Sequence, residues 1–213
     1  MTQIITSLSE ISESYDALFC DLWGCVHDGL TPFAEAVAAL QAFRAKGGTV
    51  MMVTNAPRPH APVRRQLERL GVPSDAYDGI ATSGDSARAA MLRGAVGEKV
   101  YFIGQSHDQD FFTPLELIEN PVVISQVAFE QAEGIVCCGP FDPLADPDAM
   151  RAQFLQAKAR GLKPPLAHPD LVFNRGATRH MCLSCLDQFV YAPAHLVHHF
   201  RNHDTPAIDQ PRP

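Results

Sequence analysis

Leu18-Phe19-Cys20-Asp21-Leu22-Trp23-Gly24-Cys25-Val26-His27-Asp28-Gly29 runs from strand-forming residues through a carboxylate into a glycine-bearing loop. A strand that ends on an acid, with Gly close behind, is where α/β folds place reacting groups. An ordinary turn aspartate has the same local appearance. The choice between the two rests on what surrounds Asp21.

Outward from this stretch, strand and helix signals alternate. Residues 16–21 read as a buried strand. Thr31-Pro32 reads as a helix N-cap followed by Pro at the first helical position. Phe33, Val37, Leu40 and Phe43 give that helix an apolar face, and Gly47-Gly48 stop it. Residues 49–54 form a second apolar strand ending on Thr54-Asn55. Val63, Leu67 and Leu70 mark a second helix, closed by Gly71, and residues 79–82 and 84–92 predict a third strand and helix. Apolar strands separated by amphipathic helices predict a parallel sheet covered on both faces, with ligands at the carboxyl ends of its strands. Asp21, Thr54 and Thr82-Ser83 all fall on that edge.

A second α/β series follows residue 93. It predicts strands at 99–104, 121–127 and 134–138, a helix at 146–160, and a turn at His168-Pro169-Asp170. The expected organisation is therefore a first unit over residues 1–93, a second over 94–177, and an irregular His- and Pro-rich tail over 178–213. Five of the nine histidines lie between His180 and His203.

The chain has 213 residues, 46% of them hydrophobic and 19% charged, with a net charge of −7. That composition fits a globular protein and gives no basis for nucleic-acid or anionic-membrane binding. No apolar run approaches the roughly 20 residues of a membrane helix, and the start carries Glu10 and Glu13 instead of a signal-like basic region. The six cysteines sit largely in strand-like segments, which suits reduced thiols and a cytoplasmic protein. Homo-oligomerisation is left open.

Together, Asp21 to Gly29, the Val53-Thr54-Asn55 strand end and Thr82-Ser83-Gly84-Asp85 resemble the haloacid dehalogenase-like superfamily. The nearest subgroup is class IIA, the nitrophenylphosphatase-like members. Ala56-Pro57-Arg58-Pro59, Cys138-Gly139-Pro140-Phe141-Asp142 and His168-Pro169-Asp170 resemble it too. The resemblance implies a Rossmannoid parallel sheet, the N-terminal half of such a core, with an α/β cap of the C2 type. It also implies a phosphatase acting on a small phosphorylated metabolite through an aspartyl-phosphate.

By that resemblance Asp21 is the nucleophile and a Mg²⁺ ligand, and the backbone carbonyl of Trp23 is a second ligand. Thr54 and the Asn55 amide would bind the phosphoryl group, and Gly24 would let the loop approach it. Asn55 and Asp85 also fit local capping. His27 and Asp28 either line a gating loop or form a solvated turn, and the turn is the expectation.

The chain departs from the family pattern twice. Trp23 occupies the position of a second aspartate that exchanges protons with the leaving group, and indole cannot do this near neutral pH. After Arg175-Gly176 the sequence also lacks the expected Gly-Lys-Pro-like and Gly-Asp segments. A truncated or frameshifted, weakly active enzyme and a non-catalytic scaffold are both compatible with these departures. A rival reading of the tail is zinc on Cys182, Cys185, His198 and His203, whose spacing matches a Cys₂His₂ site. Pro193 and the lack of a basic surface pattern weigh against it.

Overall fold

The structure is a computed structural model that describes residues 4–115, 118–139, 147–163, 172–175 and 178–181. Cys182, Cys185, His198, His203 and the His168-Pro169-Asp170 turn lie outside the described residues.

Three parallel strands, β1 (Ala17–Asp21), β2 (Thr49–Thr54) and β3 (Gly79–Thr82), form the first sheet in the order β1-β2-β3. Helices α1 (Ala34–Ala45) and α2 (His60–Leu70) cover one of its faces. Val37, Leu40 and Phe43 of α1, and Val63 and Leu67 of α2, join Val50 and Met52 of β2 in one core. Helix α2 ends at Gly71, which takes the left-handed φ of +84° that closes the last turn.

Among the described residues no helix covers the opposite face, where the sequence suggested one. Phe19 is 73% exposed and Val53 41% exposed, while Leu18 and Cys20 pack inward. Along a strand, alternate side chains point to opposite faces. An apolar run therefore cannot reveal which face another element covers. Among the described residues β1 has β2 as its strand neighbour and leaves its other edge open.

The second sheet has the order β5-β4-β6, again parallel, with β4 at Lys99–Ile103, β5 at Ser125–Gln126 and β6 at Gly134–Cys137. Both of its faces are covered. Helix α4 (Arg151–Ala159) packs Phe154 and Ala157 on Ile103 and Ile135. On the other face, Ala87, Met91 and Leu92 of α3 (Ser83–Leu92) pack with Val100 and Val136. The division at residue 93 thus falls between a helix and the sheet on which that helix packs.

Several sequence expectations are corrected. Helix α1 starts at Ala34 with Phe33 at the cap position, because Thr31-Pro32 is held in a turn by Asp28, whose Oδ1 accepts the Leu30 and Thr31 amides. The strand expected at 121–127 shrinks to Ser125–Gln126 at the sheet edge. Pro121 has no N–H to donate, and the Val122 amide bonds to Leu92 O instead. The helix expected at 146–160 begins as a 3-10 turn, Pro147–Met150, before α4. Thr178–Met181 (β8) pairs antiparallel with Val172–Arg175 (β7), so the start of the segment expected to be irregular is a strand.

Candidate active site

Parallel register brings the strand ends together. Asp21 stands opposite Val53, and the next residue of β2, Thr54, stands opposite Thr82 of β3. Asp21 and Thr54 therefore end neighbouring strands at one sheet edge, Asp21 on the exposed side with Val53 and Thr54 on the buried side. Asp21 is exposed, and its Oδ1 accepts the Leu22 amide at 2.8 Å. The second oxygen has no hydrogen-bond partner among the described residues.

The segment after Asp21 folds tightly back. Leu22 O accepts the amides of Cys25, Val26 and His27, while the Gly24 amide donates to His27 O at 2.8 Å. Leu22 and Val26 sink into the first core and hold the loop down. What the structure requires of Gly24 is conformational: its φ is +80°, and a Cβ there would meet no atom within 4 Å.

His27 corrects the expectation of a solvated turn, because it is only 2% exposed. Its Nδ1 accepts the Gly29 amide at 3.0 Å, which places the proton of the neutral ring on Nε2. The Trp23 ring meets it edge-on, with ring centres 5.1 Å apart. Burial lowers the His27 pKa below its ordinary value, against opposing pulls from Asp28 and Asp21. Asp28 itself acts as a turn former.

Thr54 is buried, and its Oγ1 accepts the Ala56 amide at 3.2 Å, which leaves the hydroxyl proton for another acceptor. Asn55 follows it at the start of the β2–α2 loop. Thr82, in contrast, caps α3, its Oγ1 accepting the Asp85 amide at 2.9 Å. Asp85 reaches beyond its own helix. Its Oδ2 accepts the His60 amide at 2.9 Å and lies 2.8 Å from His60 Nδ1, and its Oδ1 pairs with Arg88 at 3.0 Å. Burial pushes the Asp85 carboxyl up, but the His60 contacts and Arg88 outweigh it and hold the pKa below the usual range.

His60 and Arg88 were missed in the sequence. The i,i+3 spacing of Asp85 and Arg88 is a readable ion-pair signal. The contact with His60, 25 residues away, carries no local signature.

Burial pushes the Cys20 thiol up to about 11, leaving it a packing group and not a nucleophile. Cys20, Cys25, Cys137 and Cys138 are free cysteines.

A metal site at this strand end would draw, by the family resemblance, on two hard donors, a carboxylate oxygen of Asp21 and the carbonyl of Trp23. These suit Mg²⁺, which commonly binds one or two carboxylates and keeps several waters. Among the described residues no group of three or more His, Cys, Asp or Glu side chains is placed to hold a metal.

Comparison with known proteins fits this geometry. The family model for haloacid dehalogenase-like hydrolases matches residues 18–117. A haloacid dehalogenase-like family hydrolase from Brucella suis is 35% identical with a TM-score of 0.79, the match covering 88% of this chain and 69% of that one. The chain belongs to the haloacid dehalogenase-like hydrolase family. A p-nitrophenyl phosphatase from Archaeoglobus fulgidus shares the fold at 19% identity and a TM-score of 0.60, over 83% of this chain and 64% of that one. So does a glycerol phosphate phosphatase from Mycobacterium tuberculosis, solved in complex with magnesium, at 24% identity and a TM-score of 0.59, over 84% of this chain and 53% of that one. No curated protein matches the sequence.

Proposed function

We propose that the chain is a Mg²⁺-dependent phosphoric monoester hydrolase acting on a small phosphorylated metabolite. The observation that carries this reading is the exposed carboxylate of Asp21 at the end of β1, one residue out of register with Thr54 at the end of the adjacent β2. Among the described residues no helix is long and apolar enough to cross a membrane, and we place the enzyme in the cytoplasm.

In the proposed reaction a carboxylate oxygen of Asp21 attacks phosphorus in line, forming an O–P bond as the bond to the leaving oxygen breaks. Water then attacks the same phosphorus, the bond from Asp21 oxygen to phosphorus breaks to restore the carboxylate, and the water's proton leaves with the released phosphate or passes to solvent. The Thr54 hydroxyl donates to a phosphoryl oxygen, and the Asn55 amide faces the same group. Mg²⁺ on Asp21 and the Trp23 carbonyl would neutralise charge between carboxylate and phosphate. Trp23 supplies no proton to the leaving oxygen, so substrates whose leaving group needs none are favoured. p-Nitrophenyl phosphate is therefore the assay substrate of choice, and orthophosphate release above background in Mg²⁺, abolished by EDTA, is the expected result. No release under these conditions would reject the reading.

One observation favours a second reading, a binding module without turnover. The exposed Phe19–Val53 face is apolar surface of the kind that partners cover. Stable folding with no turnover on a phosphoester panel would support it.

A further inference from the structure

The β2–α2 loop that would carry the phosphoryl donors is fastened along its length to the first turn of α3. The Gly84 amide donates to Ala56 O at 3.0 Å. A Cβ on Gly84 would lie 2.7 Å from the Arg58 nitrogen and closer still to its carbonyl group, so loop and helix are in main-chain contact. At the far end of the loop, Asp85 accepts the His60 amide.

Helix α3 is itself fastened elsewhere. Ala87, Met91 and Leu92 lie in the core of the second sheet. Arg88, whose side chain is 6% exposed, donates from Nε to Phe111 O at 3.0 Å and from NH2 to Thr113 O at 2.6 Å, while NH1 pairs with Asp85. A buried guanidinium with each of these partners satisfied fixes its neighbours closely. One helix thus joins the loop after β2 to the second α/β unit, with Asp85 and Arg88 at the joint.

We propose that Asp85 and Arg88 are positioning residues that set the β2–α2 loop, and with it Thr54 and Asn55, for phosphoryl binding. This rests on the phosphatase reading for its consequence, but not for its geometry. Arg88 acts at one remove, through Asp85 and through the 106–113 segment, and touches no loop residue in any contact described above. Movement of the second unit would therefore reach the phosphoryl site through the Arg88–Asp85 pair.

The test uses the full chain and the variants Asp85→Ala, Asp85→Asn, Arg88→Met and Arg88→Lys. Three quantities are measured: KM and kcat for p-nitrophenyl phosphate with Mg²⁺, inhibition by orthophosphate, and hydrogen exchange of the loop amides at 55–60 (Asn55, Ala56, Arg58 and His60) against those of β2. Displacing a positioned group by about 1 Å can weaken reaction by about a hundredfold, and a smaller displacement by less. Asp85→Ala and Arg88→Met should each raise KM and the orthophosphate inhibition constant together by about tenfold, and speed exchange at 55–60 while β2 stays protected. The Asn and Lys variants should fall between these and the wild type, and they read the same quantities should the larger changes prevent folding. Lowered thermal stability with unchanged KM, inhibition and loop exchange would assign both residues a purely structural role and overturn the proposal. A wild-type chain with no turnover would remove the phosphatase reading alone. Exchange at 55–60 would then decide: faster in Asp85→Ala and Arg88→Met upholds the positioning role, unchanged refutes it.

Discussion

Gly84→Ala is the most searching single change at this site, because two effects of opposite sign compete. Replacing Gly inside a helix by Ala gains at most about 1 kcal/mol of helix stability. Against this, the new methyl would stand 2.7 Å from the Arg58 nitrogen, where an ordinary contact needs about 3.5 to 4 Å. The obstructing atoms are main chain and cannot rotate aside, so the loop must retreat by roughly 1 Å. Overpacking of this kind costs about 1–3 kcal/mol. The crowding wins, for a net loss of up to about 2 kcal/mol. For a chain of this length that corresponds to a Tm lowered by up to roughly 8 °C. Retreat of the loop also withdraws Asn55, and a misplacement of 1 Å can cost about a hundredfold in turnover. Thermal unfolding followed by circular dichroism, together with orthophosphate release from p-nitrophenyl phosphate, reads both effects. A Gly84→Ala protein with a raised Tm and unchanged kinetics would refute the close packing of loop on helix.

Leu67→Ala, at a fully buried position under the first sheet, should destabilise by about 2–5 kcal/mol in denaturant unfolding. Phe19→Ser should change stability by no more than about 0.5 kcal/mol, since the ring stands mostly in solvent; a larger loss would mean that the face is covered in solution. His27 should make stability fall on acidification. Its folded pKa lies below the unfolded value of about 6.5, so below that pH the unfolded chain takes up a proton that the buried ring resists. The stability gap between wild type and His27→Gln should therefore narrow from about pH 6.5 downward, and a gap independent of pH would contradict the burial argument.

Much of the scaffold was legible because local signals agreed. The run 49–54 lies between Gly47-Gly48 and Thr54-Asn55, and β2 occupies those six residues. Val37, Leu40 and Phe43 marked the buried face of α1 by spacing alone, and all three are in the core. Failures came where a distant partner decided the outcome. Thr31-Pro32 has the composition of a helix start, but Asp28 claims the Thr31 amide first. His27 sits among polar and glycine residues that suggest solvent, yet the fold of the loop over Leu22 and Val26 buries it. β5 is short because an edge strand bonds on one side and Val122 is drawn to Leu92. At the candidate site, Asp21, Trp23, Gly24, Thr54 and Asn55 are candidates through the family resemblance, and the structure places Asp21 and Thr54 at neighbouring strand ends. The Asp85–His60–Arg88 joint needed three-dimensional contact between loop and helix.

The central claim is that Asp21 is the residue on which phosphate is transferred. The direct measurement is Mg²⁺-dependent orthophosphate release from p-nitrophenyl phosphate by the wild-type chain and by Asp21→Asn, with matched circular dichroism spectra as the folding control. The wild type should release orthophosphate and Asp21→Asn none above background. Equal release by a folded Asp21→Asn protein would contradict the claim.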